Sequence, residues 1–478
     1  MSNDAFVPHP DRLLPADPAV REIARGLYEL EKDQPIVSPH GHVDPRLLLE
    51  DEPFRDPTSL FITPDHYVNR LMHARGVDLA DLGVGQGPLD EKASRRAWHL
   101  LAEHWHAYAG TPSRYWMEHE FFEVFGLETV LNPRTADAMY DALCAKLAQP
   151  EFRPRALFDQ FQISVLATTD DPVDDLAPHA ALAADPSFTG RVLPTFRPDR
   201  YLEPARADFR ALTDALGEAA GVEAGSYDGH LEAMRARRLY FRDHGAVSSD
   251  HSHIDPGTAR LSIEDARRLY SAARDGAIGA DEAVALRRHL LADQARLAAE
   301  DGLVMTLHPG VSRNHSEAMS ERFGADVGFD IPVAVDYVHH LRPMLNDVGH
   351  SPNFRTVLFT IDETVLSREI APLAGVYPSV FAGAPWWFID APDAILRYRR
   401  AVSETIGFSR TSGFIDDTRA FCSIPARHDM SRRLDASHLA GLVAEHRIRL
   451  EDAQELVVTL PAQQPREVFR LGAAGEEN

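Results

Sequence analysis

Two histidines one residue apart, His40 and His42, follow the short apolar run Pro35, Ile36, Val37 in the stretch Pro39, His40, Gly41, His42, Val43, Asp44. Side chains two residues apart on extended backbone point to one face, so both imidazoles can grip a single divalent ion. Far along the chain another apolar pair, Phe414 and Ile415, runs into Asp416, Asp417, Thr418 and Arg419. Two imidazoles and a carboxylate with an open coordination position suit zinc, or a similar ion such as manganese. The expected metal ligands are therefore His40, His42 and Asp417. A second pair at the same spacing, His251 and His253 after Ser249 and Asp250, competes for the ion. No strand neighbour brings it to Asp417, so His251 is read as substrate-facing or structural. His308, in Leu307, His308, Pro309, Gly310, is read as a further ligand, a polar contact to substrate or a satisfied structural histidine.

Arginines are the other chemical theme. Arg197 follows the apolar run Val192 to Phe196, and Arg419 follows Asp417 by two residues. Their planar forks suit a carboxylate, which an acidic protein otherwise repels. Trp386 and Trp387 offer either a sugar platform or wall packing. Asp65, His66 and Tyr67 supply acid-base groups on a segment able to fold over a site, although spacing alone says little more. Gly83 to Gly87 lacks the preceding strand of a dinucleotide fingerprint, and His119 with Glu120 lacks the second histidine of a metalloprotease helix.

The elements that must carry these groups recur in a pattern. Apolar runs ending in polar residues appear at Pro35 to Val37, Val165 to Ala167, Val192 to Phe196, Ala246 to Ser248, Leu303 to Leu307, Val357 to Ile361, Val380 to Ala384 and Phe414 to Ile415. Amphipathic stretches such as Ile263 to Arg274, Asp281 to Ala299, Val333 to Leu345 and Ala394 to Ile406 lie between them. Eight buried strands alternating with helices, each with chemistry at its C-terminal end, predict an α/β protein of the (β/α)8 TIM-barrel type with one active face. Closure of that barrel is what would set Asp417 beside His40 and His42. The gap after Asp44 is too long for a loop and carries helical runs at Ser94 to Ala107 and Thr135 to Ala148. The expected organisation is an N-terminal helix and first strand over residues 1–44, a helical insertion over 45–160, and the remaining barrel with C-terminal helices over 161–478.

The chain has 478 residues, 49 Lys plus Arg against 73 Asp plus Glu, and a net charge of −24. That surplus of acid, without a basic run, argues against nucleic acid and anionic membranes as partners. With 44% hydrophobic residues a large core is available, yet no 18 apolar residues run together. Only Cys144 and Cys422 are present, which excludes a disulfide framework or a cysteine-rich metal site. Met1 to Asp17 shows no cationic stretch followed by an apolar one, so an unexported, cytoplasmic protein is expected. The partner is expected to be a small molecule; a homo-oligomer is compatible with this composition.

In this order the motifs carry a further reading. Pro39 to Pro45, Asp65 to Tyr67 with Arg70, the run T-T-D-D-P from Thr168 to Pro172, Phe196 to Asp199 and Ser249 to His251 are joined by Leu307 with His308 and by Gly328 to Asp330. Trp386 to Phe388, Asp417 to Arg419, and Arg427 to Asp429 with Arg432 and Arg433 complete the set. Across nearly its whole length the chain resembles the uronate (glucuronate) isomerase family of the amidohydrolase superfamily. It departs from the family pattern at Ser252 and His253, in Pro309 to His315, and at Met430 and Ser431. The resemblance implies one divalent metal on His40, His42 and Asp417, and a hexuronate site lined by His66, Tyr67, Arg197 and Arg419. It also implies interconversion of aldohexuronates and ketohexuronates, such as glucuronate with fructuronate and galacturonate with tagaturonate. A proton then moves from C2 to C1 through an enediol, with His66 and Tyr67 as the expected carriers, Asp417 as the alternative carrier, and Arg419 or Arg197 steadying charge. His308, His251, Trp386 and Trp387 are the further expected substrate contacts. The rival readings are an amidohydrolase-type, metal-dependent hydrolase of a small acidic amide or lactone, and a protein that merely binds an acidic sugar.

Overall fold

The computed structural model describes residues 4–472. Its strands are short: β1 (Ile36–Ser38), β2 (Ile163–Ala167), β3 (Arg191–Leu193), β4 (Ser248–His251), β5 (Val304–Leu307), β6 (Val311–Ser312), β7 (Ile331–Pro332), β8 (Thr356–Leu358) and β9 (Val380–Ala382); most are apolar, but β4 reads Ser-Ser-Asp-His. Strands β1, β2 and β3 form one parallel sheet in that order, with Val37 opposite Val165 and Leu166 opposite Val192. A second parallel sheet has the order β4, β5, β8, β9, and β6 pairs with β7 in a small antiparallel hairpin. The parallel strands are almost wholly buried, as expected when helices cover such a sheet.

The expected closed eight-stranded barrel is not what forms. There are three separate sheets, of three, four and two strands, and none closes on itself. Phe196 makes isolated bridges to Asp170 and Ser249 between the first two sheets, and Ala382 makes one to Thr411 beside β9. The run Phe414 to Ile415 joins no ladder. Its neighbourhood explains why: Gly413 has φ +75° and Asp417 φ +42°, so the chain leaves extended geometry on both sides of the apolar pair. What remains is a pair of backbone bonds on the β9 side, Ala382 N to Arg410 O and Ser412 N to Ala382 O (both 2.9 Å), and one bond from His42 N to Thr418 O (3.0 Å) on the other.

Helices occupy most of the rest. Between β1 and β2 the chain is helical, from Arg46–Glu50 through Glu91–His104 and Ala136–Leu147 to Pro154–Gln160, and it packs Trp98, Phe121 and Phe125 into one apolar cluster with Ile36 and Ile163. Asp56, Asp65 and Asp90 start helices there by accepting backbone N–H groups of the first turn. The longest late helix, Ile424–Ala444, is buried along nearly its whole length although it carries Arg427, Arg432, Arg433 and Asp435. Those charges are matched: Arg427 Nη1 lies 2.7 Å from Asp390 Oδ2, and Asp435 takes both arms of Arg399 at 2.6 Å. Among the described residues no helix is long and apolar enough to cross a membrane.

Candidate active site

The polar ends of the strands open on a cavity of about 530 Å³. His40 and His42 enter it just after β1 ends at Ser38, with ring centroids 5.3 Å apart and nearly perpendicular planes. Both converge on one carboxylate oxygen: Asp417 Oδ1 lies 3.5 Å from His40 Nε2 and 3.0 Å from His42 Nε2. The backbone bond from His42 to Thr418 sets that meeting. Asp417 itself sits in the left-handed region, strain that a non-glycine residue keeps only when its surroundings enforce it.

His308, at the end of β5, faces the same carboxylate, with Nε2 3.9 Å from Asp417 Oδ2. Its other nitrogen is fixed: Nδ1 donates to Asp250 Oδ1 at 2.6 Å, and Thr306 Oγ1 donates to the same oxygen at 2.8 Å. The tautomer that results turns the lone pair of Nε2 toward Asp417. His308 Nε2 and Asp417 Oδ1 are buried without hydrogen-bond partners, and His40, His308 and Asp417 present donor atoms within 4.8 Å of one another. Burial holds His40 down at about 4, so its imidazole is neutral and available as a ligand. Burial alone would raise Asp417, but the imidazoles of His40 and His42 keep it well below the usual carboxylate range. A clustered set of imidazoles and one carboxylate, with unpartnered donors aimed inward, fits a divalent metal ion.

Across the cavity stand His66 and Tyr67, in the first turn of the helix His66–Ala74. Asp65 caps that helix, its carboxylate accepting from Tyr67 N at 2.8 Å, which fixes how the two rings enter the cavity. The rings stack at 4.7 Å, and Trp387 meets His66 edge-on at 5.7 Å. Beneath them the buried Arg427 guanidinium lies 5.1 Å from the Tyr67 ring and 3.6 Å from that of Trp116. Burial, together with the positive charges of Arg419, Arg70 and Arg427, pushes His66 down to about 3, and burial pushes the Tyr67 phenol up.

The expected arginines differ in their engagement. Arg197 is already held, by Asp199 (Nε to Oδ2, 3.0 Å) and by Asp250 (3.4 Å). Arg419 lines the cavity, is exposed, and makes no hydrogen bond or ion pair among the described residues. Trp386 and Trp387 both line the cavity, Trp387 with φ +53°. His251 is not among the lining residues; it is buried behind the wall beside Asp199 and His253.

The profile of the glucuronate isomerase family matches residues 18–468. This chain belongs to the glucuronate isomerase family. It is 54% identical over 471 residues to a uronate isomerase of Cutibacterium acnes, covering 98% of this chain and 100% of that protein. The crystal structure of a glucuronate isomerase from Caulobacter crescentus superposes with a TM-score of 0.96 at 43% identity, over 99% of this chain and 98% of that one. That of a uronate isomerase from Thermotoga maritima gives 0.91 at 28% identity, over 97% and 100% respectively.

The family's cavity in this chain also contains two groups to which the sequence motifs gave no site role. Arg313 crosses its rim from the β6–β7 hairpin, bonding Asp330 (3.1 Å) and Ser252 Oγ (3.0 Å), with its guanidinium 5.4 Å from the Trp387 ring. Asp170, in the T-T-D-D-P run, lines the cavity with its carboxyl pushed up to about 7 by burial, although Thr168 Oγ1 and Thr195 N donate to it. The signal for Arg313 was Gly310, whose φ of +92° turns the chain back from β5 into the hairpin.

Proposed function

We propose that this chain is a metal-dependent hexuronate isomerase, converting an aldohexuronate such as glucuronate or galacturonate to its 2-keto isomer, fructuronate or tagaturonate. Family membership over nearly the whole chain carries the activity. Residues 45–160 act as a helical unit that brings His66 and Tyr67 to a cavity otherwise built from residues 1–44 and 161–478. His40, His42 and Asp417 hold one ion, of the zinc class, with His308 facing the same point. When bound, that ion supplies Lewis-acid charge next to the substrate oxygens. The two thiols, Cys144 half-buried and Cys422 buried, suit a reducing compartment, the cytoplasm.

The remaining chemistry belongs to side chains. Arg419, without a partner of its own, takes the substrate carboxylate through a two-pronged contact, while Arg197 is held ready at the wall. His66 removes the C2 proton as the C1 carbonyl oxygen takes a proton from Tyr67. Return of the first proton to C1, and of the O2 proton to Tyr67, completes the ketone. An anionic substrate against Arg419 offsets the positive field that holds His66 down, so its basicity rises in the loaded site. Trp386 and Trp387 wall this step from water. Incubation with a panel of hexuronates and hexuronolactones tests the reading by product identification. A 2-keto acid is expected; hydrolysis products alone would replace the isomerase with a hydrolase.

A further inference from the structure

Behind the cavity wall lies a second set of ligand-type side chains that the isomerase chemistry does not use. His251 ends β4, His253 follows it by two residues, and Asp199 begins the short turn Asp199–Tyr201 after Arg197. Their donor atoms lie within 4.8 Å of one another. His253 Nδ1 is 2.6 Å from Glu203 Oε1, so its N–H donates to the carboxylate and the lone pair is left on Nε2. That Nε2 is buried, has no hydrogen-bond partner, and stands 3.6 Å from Asp199 Oδ1. His251 Nδ1 is likewise buried without a partner, while its Nε2 is 3.3 Å from Ser249 Oγ. Both histidines are at least nine-tenths buried.

We propose that Asp199, His251 and His253 form a second divalent-metal site, separate from the cluster around Asp417, with Glu203 orienting His253. A purely structural role leaves two buried imidazole nitrogens unsatisfied, which costs about 1–3 kcal/mol each; one ion satisfies both. Two imidazoles and one carboxylate select a zinc-class ion over magnesium or calcium, which demand oxygen ligands. A carboxylate on the far nitrogen of a ligating histidine is the arrangement that fixes its tautomer and raises its basicity. Asp199 Oδ2 holds Arg197 Nε at 3.0 Å, while Ser252 N is shared between Oδ1 and Oδ2 at 3.2 and 3.1 Å, so Oδ1, the oxygen without the arginine, is the ligand. The ion thereby ties the end of β4 to the carboxylate that holds Arg197 at the cavity wall. It positions that arginine; it does not touch the reacting carbons.

The test is metal stoichiometry on the full chain, stripped with a chelator and titrated with Zn2+ and with Co2+, the latter read by its d–d absorption. Two equivalents per chain are expected in the wild type. His253→Gln should bind one. Glu203→Gln, at a half-exposed position that the fold tolerates, should bind the second equivalent ten- to a hundredfold more weakly and leave the first unchanged. A single equivalent in the wild type overturns the proposal, as does a second equivalent that neither substitution weakens. The outcome is independent of isomerase activity: an inactive protein that binds two ions leaves this site in place.

Discussion

His308 reaches the Asp417 cluster with its tautomer already chosen, because its Nδ1 donates to Asp250 Oδ1 at 2.6 Å. The Asp250 carboxylate is buried, yet His308, His40 and Arg197 around it hold it well below the ordinary carboxylate range, so it stays an acceptor. Asp250→Asn keeps the shape and removes the charge. Affinity for one divalent ion should fall about ten- to a hundredfold, measured by competition with a chromophoric chelator, while the circular dichroism spectrum is retained. Unchanged affinity would show that His308 does not ligate.

Of the arginines lining the cavity, Arg419 makes no hydrogen bond or ion pair among the described residues. Replacing it with Gln should lower kcat/KM for a hexuronate by roughly ten- to a hundredfold, the loss of one charge-assisted contact, with little change in thermal stability. Arg197→Gln should behave differently, because it strips Asp199 and Asp250 of a shared partner and lowers stability as well. Steady-state kinetics beside thermal melts separates the two.

Proton transfer through an enediol leaves an isotopic record. In deuterium oxide, solvent deuterium should appear at C1 of the keto product, read by proton NMR. His66→Ala and Tyr67→Phe should each lower kcat by at least about a hundredfold, within the usual range for losing a general acid or base. Absence of deuterium with near-normal turnover in both variants would remove the scheme.

Acid sensitivity has a source away from the cavity. His230 is fully buried against Tyr270, both ring nitrogens lack partners, and burial with Arg274 nearby pushes it down to about 3. Its folded value lies below the unfolded one, so the unfolded chain takes the proton first. Stability is then intact above about pH 6.5 and falls below it toward pH 3, by about 1.4 kcal/mol per pH unit from this group. His230→Leu should flatten that slope and move the acid-unfolding midpoint to lower pH; an unchanged midpoint would exclude the residue as a contributor.

How legible these features are in the amino-acid order follows from the distances involved. The spacing of His40 and His42 is a local signal, and the apolar run before them marks them as leaving a strand. Asp417 is linked to them only by expecting closure, and the link exists without the closed barrel, through one backbone bond from His42 to Thr418. The eighth apolar run misleads because two residues, Phe414 and Ile415, cannot show that Gly413 and Asp417 break their extended geometry. The helix Ile424–Ala444 is hidden for another reason. Its buried length carries charged residues whose partners come from outside the helix, Asp390 for Arg427 and Arg399 for Asp435, or from a turn away, Asp429 for Arg433, so no apolar stripe announces it. Similarly, Arg313 gains its place only because the β6–β7 hairpin folds it back over Ser252 and Asp330.

The segment from Arg410 to Thr418 is anchored to β9 by paired bonds between Ala382 and Arg410 with Ser412, but it meets the end of β1 through one backbone bond, from His42 N to Thr418 O. It also carries the carboxylate on which His40 and His42 converge. In the metal centre proposed above, ligation would work as a clasp across that seam, because the residues that would grip the ion come from its two margins. Emptying such a centre would loosen the strip whose carboxylate is needed to refill it, which would make loading and closing one cooperative event, and a chelator should unlock this strip to proteases before the rest of the molecule opens.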